Sequence, residues 1–196
     1  MATEIINERL LYPSYEIIGG KKVMAPAPNP THGRVIGRLY KFIDNYFDEN
    51  EGGCVFADNT DVHFLDGTTL KPDLSVVTEK NSAIVDWLRG IYGVPDMVVE
   101  VLSKSTRKKD LTIKKDIYEA QGVKEYWIID PYMKAISVYL LQDGKYFLDD
   151  EYILFDAADL DLLTDAEKAD VKHEVPVHTL DDLKIPLNFI FKWGYR

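Results

Sequence analysis

Several features that mark other classes of protein are scarce in this sequence. Cys54 is the only cysteine among 196 residues, which excludes an internal disulfide and any multi-cysteine zinc site. No apolar run approaches the ~20 residues that a membrane-spanning helix needs. The N-terminus lacks the basic start and apolar stretch of a secretory signal. These absences predict a cytoplasmic protein with no membrane partner.

Positive charge is also in short supply. The chain has 23 Lys and Arg residues against 33 Asp and Glu residues, for a formal net charge of −10 at pH 7. This balance disfavours nonspecific binding to nucleic-acid phosphates, although a bound metal ion or a local basic patch can reverse the field where it matters. The length and the 46% share of hydrophobic residues are those of an ordinary globular protein and predict one domain over residues 1–196.

Turn residues and apolar spacing in the first half of the chain predict antiparallel strands and one long helix. Strands at 15–18 and 21–25 flank the turn Gly19-Gly20. Asn29 and Pro30 begin an amphipathic helix that ends near Asn50, after an extended proline-rich stretch. Further strands are predicted over 54–57, 61–65 and 70–77, followed by a short helix within 80–89.

The second half contains a strand-helix-strand unit. Residues 97–102 are almost continuously apolar, which is typical of a strand covered on both faces. Caps at 103–106 and Gly122 bound a helix over 107–121, and a strand follows at 125–129. This order predicts a parallel, right-handed crossover within a mixed β-sheet flanked by helices. A hairpin over 136–148 comes next, and the acidic residues 150–175 are predicted to form a surface excursion.

Two ionisable residues stand where burial makes charge expensive. Glu100 lies in the middle of the apolar strand, where an uncompensated carboxylate costs several kcal/mol. Lys114 falls within the apolar arc of the following helix, which consists of Leu111, Ile113, Ile117, Tyr118 and Ala120. A salt bridge would explain Glu100 alone, and a side chain that snorkels to water would explain Lys114 alone. Together they predict an ammonium group directed at Glu100 and at whatever Glu100 binds.

Asp73 is a third candidate, at the proline-headed start of a neighbouring strand. An Asp after Pro is also ordinary turn chemistry, and Pro95-Asp96 competes for the same role. Asp96 and Glu100 are four residues apart on one strand, or about 13 Å, which is too far for one ion. Asp73 is therefore the better partner for Glu100.

Two carboxylates beside a lysine suit the hydrolysis of a phosphodiester. Mg²⁺ binds carboxylate and water oxygens, and a bound divalent ion polarises a phosphoryl oxygen and lowers the pKa of a bound water. The lysine would orient that water or neutralise developing negative charge. We therefore expect Asp73 and Glu100 to bind Mg²⁺ or Mn²⁺, with Lys114 assisting.

These motifs resemble the Uma family of restriction endonucleases (domain of unknown function 820), within the PD-(D/E)XK nuclease superfamily. The resemblance extends from the proline-rich stretch and His32 to about Leu141 and is most specific between Asp96 and Pro131. The matching motifs are Pro72-Asp73, Glu100-Val101-Leu102-Ser103, Ser105-Thr106-Arg107, Asp110-Leu111, Lys114, Tyr118, Gly122-Val123 and Glu125–Pro131.

The resemblance implies an αβββαβ core of the restriction-endonuclease type and a metal-dependent nuclease site. Asp73 corresponds to the aspartate of the motif and Glu100 to its second acidic residue. The motif's lysine, expected two residues after Glu100, is replaced by Leu102. In this family the lysine lies on the next helix, at Lys114, and a histidine near the start of the first helix corresponds to His32.

The sequence therefore predicts a Mg²⁺-dependent endonuclease that acts on DNA, with Asp73, Glu100, Lys114 and His32 at its site. A homodimer is expected because a duplex needs two cuts. A catalytically silent module that binds protein or nucleic acid is the main alternative, favoured by the acidic balance and by Leu102. A hydrolase for nucleotides or another phosphate ester would use the same ion chemistry in an enclosed pocket.

Overall fold

A computed structural model describes residues 15–24, 29–50, 52–57, 60–104 and 107–191. Its centre is a six-stranded mixed sheet in the order β12-β11-β10-β9-β6-β3. These strands are β3 (Gly53–Ala57), β6 (Leu74–Thr78), β9 (Met97–Val101), β10 (Glu125–Asp130), β11 (Ala135–Gln142) and β12 (Lys145–Ile153). The strands β9 and β10 pair in parallel, and every other neighbouring pair in this main sheet is antiparallel.

The first helix, α1 (Pro30–Asn50), covers one face of the main sheet. The Asn29 side chain accepts a hydrogen bond from the backbone N–H of His32 at 3.0 Å, so Asn29 caps the helix as its sequence predicts. The buried stripe of α1 consists of His32, Val35, Ile36, Leu39, Ile43 and Phe47. Each fully buried aliphatic side chain contributes ~1.5–3 kcal/mol, which fixes the face that α1 presents to the sheet.

The crossover between β9 and β10 is a helix over residues 107–121, here named α2. A π-helical turn, Asp110–Lys114, interrupts its α-helical ends Arg107–Lys109 and Lys115–Gln121. Asp110, Lys114 and Tyr118 are its buried residues, so the inward face is more polar than the predicted apolar arc. Leu111 and Ile113 are exposed instead, because Asp110, Lys114 and Tyr118, spaced four residues apart, occupy the face that meets the sheet.

The chain order α1, β3, β6, β9, α2, β10 is the αβββαβ order that the sequence predicts, and the mixed α/β class is confirmed. Residues 25–28, with most of the proline-rich stretch, and residues 105–106, within the predicted caps, lie outside the described residues. So do residues 1–14, 51, 58–59 and 192–196. None of the helices in the described ranges is both long and apolar enough to span a membrane.

A second six-stranded sheet packs beside α2, on the other face of the main sheet. Its order is β2-β1-β5-β4-β8-β7. The strands are β1 (Tyr15–Ile18), β2 (Lys21–Met24), β4 (Val62–His63), β5 (Thr69–Leu70), β7 (Val85–Asp86) and β8 (Gly90–Tyr92). The predicted hairpin around Gly19-Gly20 is confirmed, whereas the parallel pairing of β4 with β8 was not predicted.

The predicted strand over 70–77 is wrong, because the chain changes sheets in its middle. The strand β5 ends at Leu70 in the second sheet, and β6 begins at Leu74 in the main sheet. Pro72 lacks the N–H that a strand interior donates, so the segment Lys71-Pro72-Asp73 cannot continue the ladder. The break places Asp73 at the end of the main sheet where β9 finishes.

The C-terminal part adds a short ribbon and small helices. These elements are α3 (Ala157–Asp161), α4 (Asp165–Ala169), β13 (Glu174–Pro176), β14 (Lys184–Pro186) and α5 (Leu187–Ile190). Within the range 150–175, the side chains of α3 and α4 are almost all exposed, while Tyr152 and Val175 are buried. The chain then returns to the core of the main sheet through Ile185, Leu187 and Phe191.

Asp96, the competing Pro-Asp residue, stabilises the opposite end of the main sheet. Its carboxylate accepts hydrogen bonds from the Thr78 backbone N–H at 2.9 Å, from the Asn81 amide at 3.2 Å and from the Lys124 ammonium at 2.8 Å. Burial raises the pKa of Asp96, but the bonds from Lys124 and Thr78 outweigh it, so the pKa lies below the ordinary value of 3.8. Asp96 is therefore a structural carboxylate.

We expect Asp96→Asn to lower the free energy of unfolding at pH 7 by ~1–2 kcal/mol, since charged hydrogen bonds are weakened. A lowered pKa contributes stability above the unfolded value of 3.8, and that stability is lost as the pH falls through the folded value. Urea denaturation from pH 7 to pH 3 should show the difference from wild type shrinking at the acid end. Asp48→Asn, on the exposed side of α1, is the control. A difference that grows on acidification would contradict the assignment.

Candidate active site

Glu100 lies in β9 with its side chain directed at α2, and it is 2% exposed. Its Oε1 accepts a hydrogen bond from the Lys114 ammonium at 2.7 Å and another from the Tyr118 hydroxyl at 2.7 Å. Lys114 is 5% exposed. The inward position of Lys114 follows from its place on α2, four residues before Tyr118 and so on the same face of the helix.

Glu16 completes this cluster from the second sheet, and sequence reasoning missed it. It lies in β1, is 1% exposed, and its Oε1 is 3.0 Å from Lys114 Nζ. The same oxygen accepts the Lys71 backbone N–H at 3.2 Å, and Oε2 pairs with the Lys109 ammonium. The available signal was an acidic residue within a short apolar strand, the same signal that drew attention to Glu100.

Several buried carboxylates surround Lys114. Asp110, 1% exposed, lies 3.8 Å from Lys114, so three buried carboxylates surround Lys114, while Lys109 pairs with one of them, Glu16. Burial lowers the pKa of Lys114, but Glu100 and Glu16 outweigh it and hold the pKa above its ordinary value. Burial also raises the pKa of Glu100 well above 4.5, and Lys114 offsets only part of that rise. The carboxylates around Lys114 therefore keep it in its charged form.

Asp73 lies next to Glu100 across the end of the sheet. The antiparallel register that pairs Leu74 with Val99 brings Asp73 opposite Glu100 as β6 begins. The Oδ2 atom of Asp73 accepts the Val101 backbone N–H at 2.6 Å and is 3.0 Å from the Nε2 atom of His32. His32 lies in the first turn of α1, which covers the face of the main sheet opposite to α2. From there it orients the Asp73 carboxylate.

The donor set of the two carboxylates fits a hard divalent cation. Both hydrogen bonds to Asp73 end on Oδ2, and both to Glu100 end on Oε1. Within the described ranges no hydrogen bond reaches the other oxygen of either group, and no set of three or more acidic, His or Cys side chains is arranged to hold a metal. Mg²⁺ commonly uses one or two carboxylates, with water and substrate phosphate as its remaining ligands.

The remaining polar candidates lie elsewhere or have structural roles. His63 Nδ1 is 3.0 Å from the Thr69 hydroxyl, and the His63 ring stacks on Tyr92. His178 contacts Asp149, far along the chain from the cluster. Asp130 pairs with Arg107 and accepts backbone N–H groups of the turn that follows β10, as its turn-forming Asp-Pro sequence predicts.

A family model described as "Putative restriction endonuclease" (Uma2) matches residues 8–162. The chain belongs to this family. The match includes His32, Asp73, Glu100 and Lys114, and also Glu16. The family membership predicted from the motifs is thereby confirmed, and it supports the classification of this protein as a nuclease.

A solved structure of similar fold is that of "a putative nuclease belonging to DUF820" from Anabaena variabilis. The TM-score is 0.69, the sequences are 21% identical, and the match covers 96% of this chain and 97% of the other. At this identity the likeness establishes the fold. No curated protein matches the chain.

We expect Lys114→Met to lower the free energy of unfolding by ~3–5 kcal/mol, because removal of one partner leaves buried carboxylates uncompensated. The double variant Lys114→Met with Glu100→Gln should be less destabilised than the sum of the single variants. Guanidinium denaturation of the four proteins measures this coupling. Lys108→Met, on the exposed side of the same helix, should change stability by less than ~0.5 kcal/mol. Equal effects at positions 108 and 114 would contradict the buried ion cluster.

Proposed function

We propose that this protein is a metal-dependent endonuclease that hydrolyses DNA phosphodiester bonds. Asp73 and Glu100 bind Mg²⁺ or Mn²⁺, and Lys114 acts beside them. The observation that carries the proposal is the contact of Lys114 Nζ with Glu100 at 2.7 Å, next to an aspartate whose second oxygen is available for an ion.

The bound ion would supply Lewis-acid polarisation of the scissile phosphate and a water of lowered pKa. The chain supplies the positions of the groups around it. His32 and the Val101 N–H hold one oxygen of Asp73, so the other is oriented before the ion arrives. Glu16 holds Lys114 at 3.0 Å, so the ammonium group is fixed where negative charge develops on the phosphate.

Lys114 also compensates for the departure from the superfamily motif. Leu102 occupies the position of the usual lysine and is 3% exposed, packed in the cluster that contains Tyr118 and Tyr126. An ammonium group delivered from α2 reaches Glu100 without a lysine on β9. The family supports DNA as the substrate, and the homodimer and the cytoplasmic location remain predictions.

A catalytically silent nucleic-acid-binding or protein-binding module is the second candidate. The specific observation that favours it is the deep burial of Glu100 and Lys114, which already pair with each other at 2.7 Å. In that case the cluster would serve only to join the second sheet to α2 and β9.

Asp73→Asn separates the two candidates. For the nuclease we expect a loss of ~100-fold or more in the rate of plasmid cleavage with Mg²⁺ or Mn²⁺, and no cleavage in EDTA, because a ligand charge is removed without a change of size. Asp96→Asn is the matched control, because Asp96 also follows a proline but lies at the far end of the sheet; folding is checked by circular dichroism. Unchanged cleavage by Asp73→Asn would refute the assignment. Absence of plasmid cleavage by the wild type with either metal ion would favour the silent module.

His32 is a positioning residue, and its effect should appear in metal affinity. We expect His32→Gln to weaken Mn²⁺ binding by ~10–100-fold, as is typical when the partner that orients a ligand is lost. Calorimetric titration of Mn²⁺ in the presence of an uncleavable phosphorothioate duplex measures this. His63→Gln is the matched control, since that ring contacts Thr69 and Tyr92 instead. Equal Mn²⁺ affinity in the His32 variant and the wild type would remove His32 from the site.

A further inference from the structure

A small cleft opens where the parallel strands β9 and β10 end. It has a volume of about 250 Å³, and its lining includes Leu102, Lys104, Arg107, Asp130, Tyr132 and Met133. Such a volume is below the roughly 300–1,000 Å³ of pockets that enclose whole drug-sized ligands. The cleft suits a single flat ring system rather than an entire small molecule.

The cleft and the candidate metal site are close to each other along β9. Leu102 follows Glu100 by two residues, so the two side chains project from the same face of the chain about 7 Å apart. The position that holds the lysine in the superfamily motif is therefore an apolar part of the cleft lining in this protein. A DNA strand with its phosphate at Asp73 and Glu100 would place a neighbouring nucleotide over Leu102.

The walls of the cleft are held in place by Asp130. Its Oδ1 accepts the backbone N–H groups of Tyr132 at 3.0 Å and Met133 at 3.1 Å, and its Oδ2 pairs with Arg107. Asp130 itself is 8% exposed. One buried carboxylate thus fixes both the turn that carries the apolar side chains and the guanidinium group opposite them.

The walls of the cleft combine the exposed ring of Tyr132 and the thioether of Met133 with two cationic side chains. Tyr132 is 56% exposed and Met133 is 68% exposed, although both are large and apolar. Lys104 and Arg107 are exposed at the rim, in a chain whose net charge is −10. A nucleotide matches this chemistry, because its base offers a flat face for stacking and its phosphates complement the cations.

We propose that this cleft receives a base of the DNA strand adjacent to the scissile phosphate, with Tyr132 and Met133 contacting the base and Arg107 and Lys104 the flanking phosphates. This inference rests on the proposed nuclease function. A second copy of the chain is the less suitable occupant, because a stable protein interface buries ~1,200–2,000 Å² and only two of the large apolar side chains that line the cleft, Tyr132 and Met133, are exposed.

The test is the affinity of Tyr132→Ala and Met133→Ala for DNA, measured by fluorescence anisotropy with a labelled single strand and the duplex of the same sequence. Ca²⁺ replaces Mg²⁺ to prevent cleavage. Loss of one base–aromatic contact should weaken binding by the Tyr132 variant ~5–100-fold, while Tyr132→Phe and Tyr132→Trp retain it. Tyr92→Ala, which removes a tyrosine that is 50% exposed on β8, should leave affinity unchanged.

A base analogue supplies a second readout that a structural role would not change. The emission of 2-aminopurine placed next to the scissile position should change on binding to the wild type and to Tyr132→Phe but not to Tyr132→Ala. If the wild type cleaves and binds DNA and Tyr132→Ala binds it with equal affinity, the proposed role of the cleft is refuted. The proposed nuclease function is not affected by that result. Absence of both cleavage and binding in the wild type would overturn both. A Tyr132→Ala variant that changes only the sedimentation of the protein would mark a contact between copies instead.

Discussion

The ion pairs of the Lys114 ammonium group with Glu100 and Glu16 are the interactions on which this structure depends. The ammonium group is buried between Glu100 of the main sheet and Glu16 of the second sheet, with Asp110 one turn away on the same helix. A charge in this position is tolerated only when every partner is present, because desolvation costs several kcal/mol per ion. The helix α2, the strand β9 and the strand β1 must therefore occupy their places together, and the cluster specifies how the two sheets meet.

Two local irregularities make that arrangement possible. The break at Lys71-Pro72-Asp73 carries the chain from one sheet to the other and leaves Asp73 opposite Glu100. The π turn of α2 carries Asp110 and Lys114, which are buried, and Leu111 and Ile113, which are exposed. Departures from regular structure are commonly found at functional sites, and here both departures serve the same few side chains.

The lysine of the superfamily motif lies on α2 in this protein, at Lys114, and not two residues after Glu100. This change of position affects the residues around the site. With Lys114 supplied by α2, position 102 needs no charge, and Leu102 extends the apolar cluster to the cleft at the end of β9. Asp130 and Arg107 then border the cleft with a fixed ion pair. Glu100 and the cleft lie near the carboxyl ends of the parallel strands β9 and β10, which is where open α/β sheets place their ligands.

The sequence by itself determined the local elements and the anomalous charges. Gly19-Gly20, the Asn29 cap, the α1 stripe and the strand-helix-strand unit all follow from turn chemistry and periodicity, and the misplaced charges of Glu100 and Lys114 were visible within those patterns. Only the tertiary structure decided that the segment 70–77 divides between two sheets, that β4 pairs with β8 in parallel, and that Glu16 reaches Lys114. The physical reason is the separation along the chain of the segments that interact. Periodicity reports which face of an element is buried, whereas strand order and the meeting of Glu16 with α2 depend on packing between segments distant in the chain.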